Sequence, residues 1–421
     1  MWELRVIGHF DFPSSGVFAV LQSSAMGEPL FPNLRSLKSW STSIIGAEFI
    51  STIPLLLSPT TTAIDIDFNG YINRHIDALN AAIASMVIAL PASCPNLRKI
   101  LLDHLPRDPI IADAVSELLL NINRDTLRHL HVDSPLTEEV REMIYKLPDL
   151  RELWVVIEGS TSLPKMELPN LTRIRVKYDH NHNWLQGFRG AILGKLNSVT
   201  FDAGFPSAQI DDFLEEFQSA TLTTSVQNTL SEFHLWTWHS WNPNYSSLLG
   251  FKQLTQLEIR FSCHNGCSSR ADDDIITDLA QAMPRLEVLQ LGGEPCGTPT
   301  GVTFKGLIAL ACRCPQLSEL CIHFRADSLI DATSSGEPPS PSKHAAATPQ
   351  TNCALTELYV GKNPIPEGSA LAVALILFQV FPHLLSITSK DDNREWESVR
   401  EMFKSFKQSG DSNGYTSETH L

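Results

Sequence analysis

The chain has 421 residues, more than one compact core usually organises, so its length predicts either several domains or an elongated repeat array. Hydrophobic residues make up 43% and charged residues 19%, which is typical of a folded protein and excludes a largely disordered chain. The formal net charge of -15 argues against nucleic acid as a partner, because such binding needs Lys and Arg to neutralise phosphates.

The cysteines and apolar segments predict a protein of the cytoplasm or nucleus. Eight cysteines in so long a chain do not form the dense disulfide framework of a small secreted domain. Residues 1–12 have neither the basic start nor the apolar run of a secretion signal. The longest apolar stretch, residues 371–381, contains Gln379 and is too short to span a bilayer. We therefore expect reduced thiols and no membrane insertion.

In chain order, residues 2–8 (WELRVIG) read as a strand, and a Leu-x-x-Leu-x-Leu pattern, here called the frame, then recurs. The last two apolar residues of a frame alternate with polar residues, as in a short strand with one buried face. Each frame therefore predicts one strand. The frames begin at Leu34, Leu97, Leu127, Leu150, Leu171, Leu196, Leu230, Leu254, Leu286, Leu317, Leu355 and Leu384, with a weaker copy at Ile64 and Ile66.

The segments between the frames have a helical period, and a proline precedes most frames. Acidic residues near the segment starts fit helix N-termini, and each proline disfavours helix in the residue before it. Alternating strands and helices predict an α/β fold, a leucine-rich repeat solenoid. We expect a curved, ribonuclease-inhibitor-like horseshoe with parallel strands on its concave face and helices on its convex face. The predicted helices include residues 110–122, 137–147, 208–218 and 272–283.

Four regions follow from these patterns. Residues 1–390 are predicted to form the solenoid, with about 12 irregular repeats. Within it, residues 327–352 are rich in Ser, Pro and Ala and predict a disordered insertion. Residues 391–408 predict a capping helix, and residues 409–421 a flexible tail. One face of that helix carries Trp396, Val399, Met402, Phe403 and Phe406.

We find no pattern that supports catalysis, and we expect no enzyme, no metal and no cofactor. Residues 190–196 (GAILGKL) have the wrong glycine spacing for a phosphate loop. Residues 263–267 (CHNGC) offer only one cluster of zinc ligands. Cys314 occupies a position that Phe, Leu or Met fills elsewhere, so it is predicted to be a buried apolar residue. His129 and His131 are predicted to be exposed strand residues rather than ligands.

The residues between the inward-pointing frame positions would line the concave face, which such solenoids use for binding. Arg173, Arg175 and Lys177 form a basic triplet in an acidic chain, one repeat away from Trp154. Clustered Arg suits carboxylate or phosphate groups, and Trp contributes strongly to protein interfaces. Two alternatives stay open, namely polar residues that only keep the strands soluble and a site nearer the C-terminal repeats. The predicted surface for an acidic or phosphorylated segment of a protein partner comprises Trp154, Arg173, Arg175, Lys177, His234, Trp236 and Arg260.

Several phrases resemble the leucine-rich repeat region of F-box proteins from basidiomycete fungi, among them LFPNLRSLKSW, SCPNLRKILLDHL, DDDIITDLAQAMPRLEVLQLGG and GLIALACRCPQLSELCIHF. In that family the repeats capture a protein for ubiquitination, and the F-box binds a Skp-type adaptor of a cullin ubiquitin ligase. The resemblance implies the substrate-recognition part of such a ligase. We see no F-box in this sequence, so adaptor and cullin are expected only if an F-box exists upstream. The alternative is an F-box-less scaffold or inhibitor unconnected with ubiquitination.

Overall fold

The structure is a computed structural model, and its chain divides into two compact units. The first comprises Met1–Asp202 and Ser219–Val226, and the second Ala203–Gln218 and Gln227–Leu421. The span 1–390, predicted as a single solenoid, is thus distributed over both. The structure describes residues 2–8, 20, 23, 29–41, 47–69, 76–157, 165–178, 191–203, 210–222, 225–237, 245–261, 271–292, 300–326, 353–361, 365–389 and 394–412.

The first unit is built from strands that lie side by side in chain order and pair in parallel. Its strands are β1 (Trp2–Gly8), β2 (Leu34–Ser41), β3 (Ala63–Asp67), β4 (Lys99–Asp103), β5 (His129–Pro135), β6 (Glu152–Ile157), β7 (Arg173–Tyr178) and β8 (Ser198–Ala203). Its helices are α1 (Ala47–Leu56), α2 (Ile76–Ser93), α3 (Pro109–Asn121) and α4 (Glu138–Ile144). Helices α5 (Ile210–Leu222) and α6 (Val226–Thr229) follow where the chain passes between the units.

The second unit repeats the same α/β plan, again with parallel strands in chain order. Its strands are β9 (Glu232–Thr237), β10 (Gln256–Phe261), β11 (Val288–Leu291), β12 (Glu319–Ile322), β13 (Glu357–Gly361) and β14 (Ser386–Ser389). Its helices are a 3-10 helix (Tyr245–Leu248), α7 (Asp273–Ala282), α8 (Phe304–Arg313), α9 (Ala370–Val380) and α10 (Arg394–Ser412). Each unit is therefore solenoid-like, and the predicted α/β class is confirmed.

The frame residues form the strands because every second side chain is buried. In β4, Ile100 and Leu102 are fully buried, whereas Lys99, Leu101 and Asp103 are partly exposed. The frame residues of the other strands are buried as well, so the core of each unit lies on one side of its strands. The alternation is not strict, because Asp65, His131 and Val156 on the opposite side are also buried. The opposite side, here called the open face, carries the residues between the frame residues.

A backbone carbonyl next to each of the strands β3–β7 and β9–β13 fixes the position of the following strand. The Arg98 carbonyl accepts hydrogen bonds from two successive N–H groups, those of Arg128 at 2.8 Å and His129 at 3.0 Å. Because the same geometry recurs from strand to strand, it sets the register with which side chains meet across the open face. Carbonyls with the same pair of donors belong to Thr62, Arg128, Arg151, Thr172, Ser231, Thr255, Glu287, Ser318 and Thr356.

The prolines before the frames end the helices, as predicted. Helix α8 ends at Arg313, and Cys314 leaves the helical conformation immediately before Pro315. Cys314 is fully buried, and its thiol lies 3.6 Å from the Met283 carbonyl oxygen. The prediction that Cys314 is a buried apolar residue is confirmed, and burial raises the pKa of its thiol to about 12.

An aspartate joins the first turn of α7 to the start of α8. The Asp273 carboxylate accepts hydrogen bonds from the Thr303 N–H at 2.8 Å, the Thr303 hydroxyl at 2.6 Å and the Gly306 N–H at 2.9 Å. These donors include N–H groups at a helix N-terminus that have no partner within the helix. The negative charge also favours the positive end of the helix dipole, so Asp273 holds two successive helices together.

Helix α10 packs against the preceding helix of the second unit, as the predicted capping helix should. Trp396 and Val399 are fully buried, and the Phe403 ring lies 5.7 Å from that of Phe378. The helix begins at Arg394 and continues to Ser412, four residues beyond the predicted end of the capping helix. Propagation of an existing helix adds one backbone hydrogen bond per residue without a new nucleation cost. Residues 327–352 and 413–421 lie outside the described residues.

Candidate functional site

Strand register brings the predicted residues of the first unit together on its open face. Across β6 and β7, Trp154 is opposite Arg175, and Glu152 is opposite Arg173. Across β5 and β6, His131 is opposite Trp154. The structure therefore aligns an imidazole, an indole and a guanidinium on three successive strands, although only the last two were predicted as site residues.

These three aligned side chains form a stack. The His131 ring centroid lies 3.2 Å from that of Trp154, with the rings inclined by 18°. The Arg175 guanidinium carbon lies 3.7 Å from the Trp154 centroid, within the range of a cation–π interaction. Because His131 belongs to β5 and Arg175 to β7, they flank the indole on opposite sides. The stack thus holds Trp154 in place and covers both faces of its indole.

The prediction that His131 is an exposed strand residue is wrong. Its exposed fraction is 6%, because Trp154 covers the imidazole, and its Nε2 lies 2.6 Å from the Asp103 carboxylate. Burial lowers the pKa of His131, and the nearby Asp103 opposes this effect without overcoming it. His129, by contrast, is only half-buried, and its Nδ1 lies 3.2 Å from Glu152.

Each cation of the basic triplet on β7 has a carboxylate partner within the chain. Arg173 pairs with Glu152, Arg175 lies 3.8 Å from Asp202, and Lys177 reaches over β6 to Asp133 at 3.1 Å. Burial lowers the pKa of Arg175, while the charge of Asp202 acts in the opposite direction. The triplet is therefore an arrangement of ion pairs, and an acidic ligand would have to compete with these carboxylates.

The predicted residues of the second unit surround one carboxylate on its own open face. Arg260 Nη2 lies 3.0 Å from Glu258, and His234 Nδ1 lies 3.4 Å from the same carboxylate. The Arg260 guanidinium carbon is 5.7 Å from the Trp236 ring centroid. Hydrogen bonding from His234 is the main cause that lowers the pKa of Glu258, against the opposing effect of burial. His234, Trp236 and Arg260 thus form a cluster with Glu258, which sequence reasoning did not include.

The predicted site residues did not include the carboxylates that organise the first unit's open face, although a signal for them exists. The residue that follows the last frame residue is an aspartate in four strands, namely Asp67, Asp103, Asp133 and Asp202. Asp67 and Asp103 lie opposite each other in the sheet. This recurrence predicts a row of acidic side chains at one level of the strands, and three of these carboxylates hold His131, Lys177 and Arg175.

Other classes of site receive no positive support. Among the described residues no group of three or more His, Cys, Asp or Glu side chains is placed to hold a metal ion. Residues 263–267 lie outside the described part of the chain, as do residues 238–244 that follow β9. The helices that the structure describes include none that is long and apolar enough to cross a membrane.

No protein-family model matches the chain, and no curated protein is significantly similar to it in sequence.

Proposed function

We propose that this chain is a leucine-rich repeat solenoid of the ribonuclease-inhibitor type that binds a protein partner on the open face of its strands. The single observation that supports this most is the aligned row of His131, Trp154 and Arg175. Their side chains are held in one geometry before a partner arrives, which reduces the entropy that binding would cost. Trp and Arg are also the residue types that most often dominate protein interfaces.

The partner is an acidic or phosphorylated protein segment that reaches Arg173, Arg175 and Lys177 on β7. Its carboxylate or phosphate competes with Glu152 and the aspartates that now pair with these cations. The competition is feasible because partly exposed ion pairs contribute only about 0–1 kcal/mol each. A phosphate carries more charge than a carboxylate, so phosphorylation would favour the exchange.

The repeat phrases, such as CPNLRKILLDHL and CPQLSELCIHF, favour one cellular role. The chain acts in cytoplasm or nucleus as the substrate-recognition part of an F-box-like subunit of a cullin ubiquitin ligase. The ligase chemistry belongs to other subunits, so the chain itself is not an enzyme. The alternative is an F-box-less scaffold or inhibitor, which needs the repeats alone and no adaptor.

Affinity purification from a fungal extract, followed by binding assays with the purified components, tests both roles. Direct binding of a purified Skp-type adaptor to the chain supports the ligase role. If the adaptor does not bind and the extract yields other protein partners, the scaffold role is favoured. Arg175→Gln should weaken a recovered protein partner about tenfold, as expected for loss of an interface arginine. Lys305→Gln is the matched control, because it removes the same charge from a side chain that is 72% exposed on a helix. Equal affinities of both variants would contradict the proposed surface.

A further inference from the structure

We propose that the segment bound on the first unit's open face is bipolar, with a basic end on β3 to β5 and an acidic end on β6 to β8. This inference rests on the proposed protein-binding function and adds the order of charges that the partner must carry. It follows from the uneven distribution of charge between the two halves of one continuous strand face.

The half formed by β3, β4 and β5 is acidic. Its open-face positions hold four carboxylates and one ammonium group. Lys99 lies 3.7 Å from Asp65, whereas Asp67 and Asp103 contact imidazoles, those of His104 at 2.8 Å and His131 at 2.6 Å. Two of these carboxylates remain accessible, since the side chains of Asp67 and Asp103 are 28% and 24% exposed. A basic segment would gain favourable interactions here. The four carboxylates are those of Asp65, Asp67, Asp103 and Asp133.

The half formed by β6, β7 and β8 is basic. Its open-face positions hold three cations, Arg173, Arg175 and Lys177, and two carboxylates, Glu152 and Asp202. The side chains of these cations are 61%, 26% and 34% exposed, so a partner can reach all three. Lys177 pairs with Asp133 of the acidic half at 3.1 Å. The two halves meet at the stack of His131, Trp154 and Arg175. An acidic group therefore fits this side and a basic group the other.

The spacing of the strands sets the size of the matching segment. Neighbouring strands lie about 4.8 Å apart, so β4 and β7 are separated by roughly 14 Å, which about four extended residues span. A short extended peptide that crosses the strands can therefore place one charge block on each half. A peptide of the same composition with alternating charges cannot satisfy both halves.

Two labelled peptides of identical composition test this inference with the full chain at low ionic strength, read by fluorescence anisotropy. The block peptide is Lys-Lys-Lys-Gly-Glu-Glu-Glu, and the control is Lys-Glu-Lys-Gly-Glu-Lys-Glu, both with blocked ends. We expect the block peptide to bind at least about fivefold more tightly, and salt to weaken this preference. Equal affinities, or no binding of either peptide, would overturn the bipolar partner.

Two double variants localise the effect. Asp67→Asn with Asp103→Asn, and Arg173→Gln with Arg175→Gln, should each abolish the preference for the block peptide, while Lys305→Gln should keep it. Circular dichroism confirms that each variant is folded, and a folded variant of either pair that retains the full preference contradicts the assignment. The result is separable from the proposed function: equal affinities of the two peptides would refute the charge order alone, whereas a recovered protein partner that Arg175→Gln fails to weaken would refute the proposed surface.

Discussion

Replacement of Trp396 by alanine is expected to loosen α10 from the second unit without unfolding that unit. Trp396 is fully buried, and its ring meets that of Phe324 edge to face with the centroids 6.1 Å apart. Helix α10 keeps two other buried anchors, Val399 and Phe403. Because those anchors remain, the variant should open locally more often rather than lose its fold.

The size of the effect follows from the buried ring. Truncation of a buried Trp to Ala costs about 3–5 kcal/mol, which includes the cavity left behind. The edge-to-face contact with Phe324 accounts for about 0.5–1.5 kcal/mol of such a loss. Since about 1.4 kcal/mol changes an equilibrium tenfold, the fraction of molecules in which α10 is open should rise by about a hundredfold or more. Hydrogen exchange detects local opening equilibria of this kind.

Hydrogen exchange followed by mass spectrometry measures this opening segment by segment. Amides of α10 and of the neighbouring α9 should lose protection, while those of α2 and α3 in the first unit should not change. Leu385→Ala is the control, because Leu385 is 75% exposed and its truncation should cost less than about 0.5 kcal/mol. Unchanged protection of α10, or an equal loss throughout both units, would refute the reasoning.

Two further changes test other contacts. Because burial lowers the pKa of His131 below its usual 6.5, the unfolded chain binds more protons near and below that pH, so stability falls as the pH drops below 6.5. When the free energy of unfolding is measured in urea between about pH 5 and pH 8, His131→Gln should reduce the pH dependence of the first unit's stability. An unchanged pH dependence would show that groups other than His131 cause it. Asp273→Ala should cost about 2–3 kcal/mol by leaving its donors unpaired, whereas Asp274→Ala, at a side chain 88% exposed, should cost under about 0.5 kcal/mol. Equal shifts of the unfolding temperature in these two variants would show that the link between α7 and α8 contributes no stability.

The fold was predictable from the sequence because its main determinants are local. The alternation in KILLD predicts a half-buried strand, and residues 99–103 form β4 with Ile100 and Leu102 buried. The proline after Cys314 likewise predicts the helix end that the structure has. The length of α10 was less predictable, since its polar last residues carry no hydrophobic period. The division into two units has no local signal either, because it depends on contacts between residues distant in the chain.

The candidate site was predictable only in part, because its geometry depends on register between strands. Sequence reasoning identified Trp154 and Arg175, which lie opposite each other. It assigned His131 to the exposed surface, since nothing in the HLH motif reveals that a neighbouring indole covers the ring. It also treated the cations of β7 as available charge, because their carboxylates lie 21 to 44 residues away along the chain.

The carbonyl that accepts two N–H groups beside ten of the strands has a consequence for how such a chain changes over evolution. Strand position depends on contacts such as those of the Arg98 carbonyl with residues 128 and 129, rather than on the length of the connecting segment. Insertions and deletions in a connector therefore leave the neighbouring strands in register, and closing a longer loop costs little entropy. Whole repeats can be duplicated or lost for the same reason, since strands β3–β7 and β9–β13 present the next strand with an equivalent acceptor. The binding surface can diverge in sequence while the spacing of its positions stays constant.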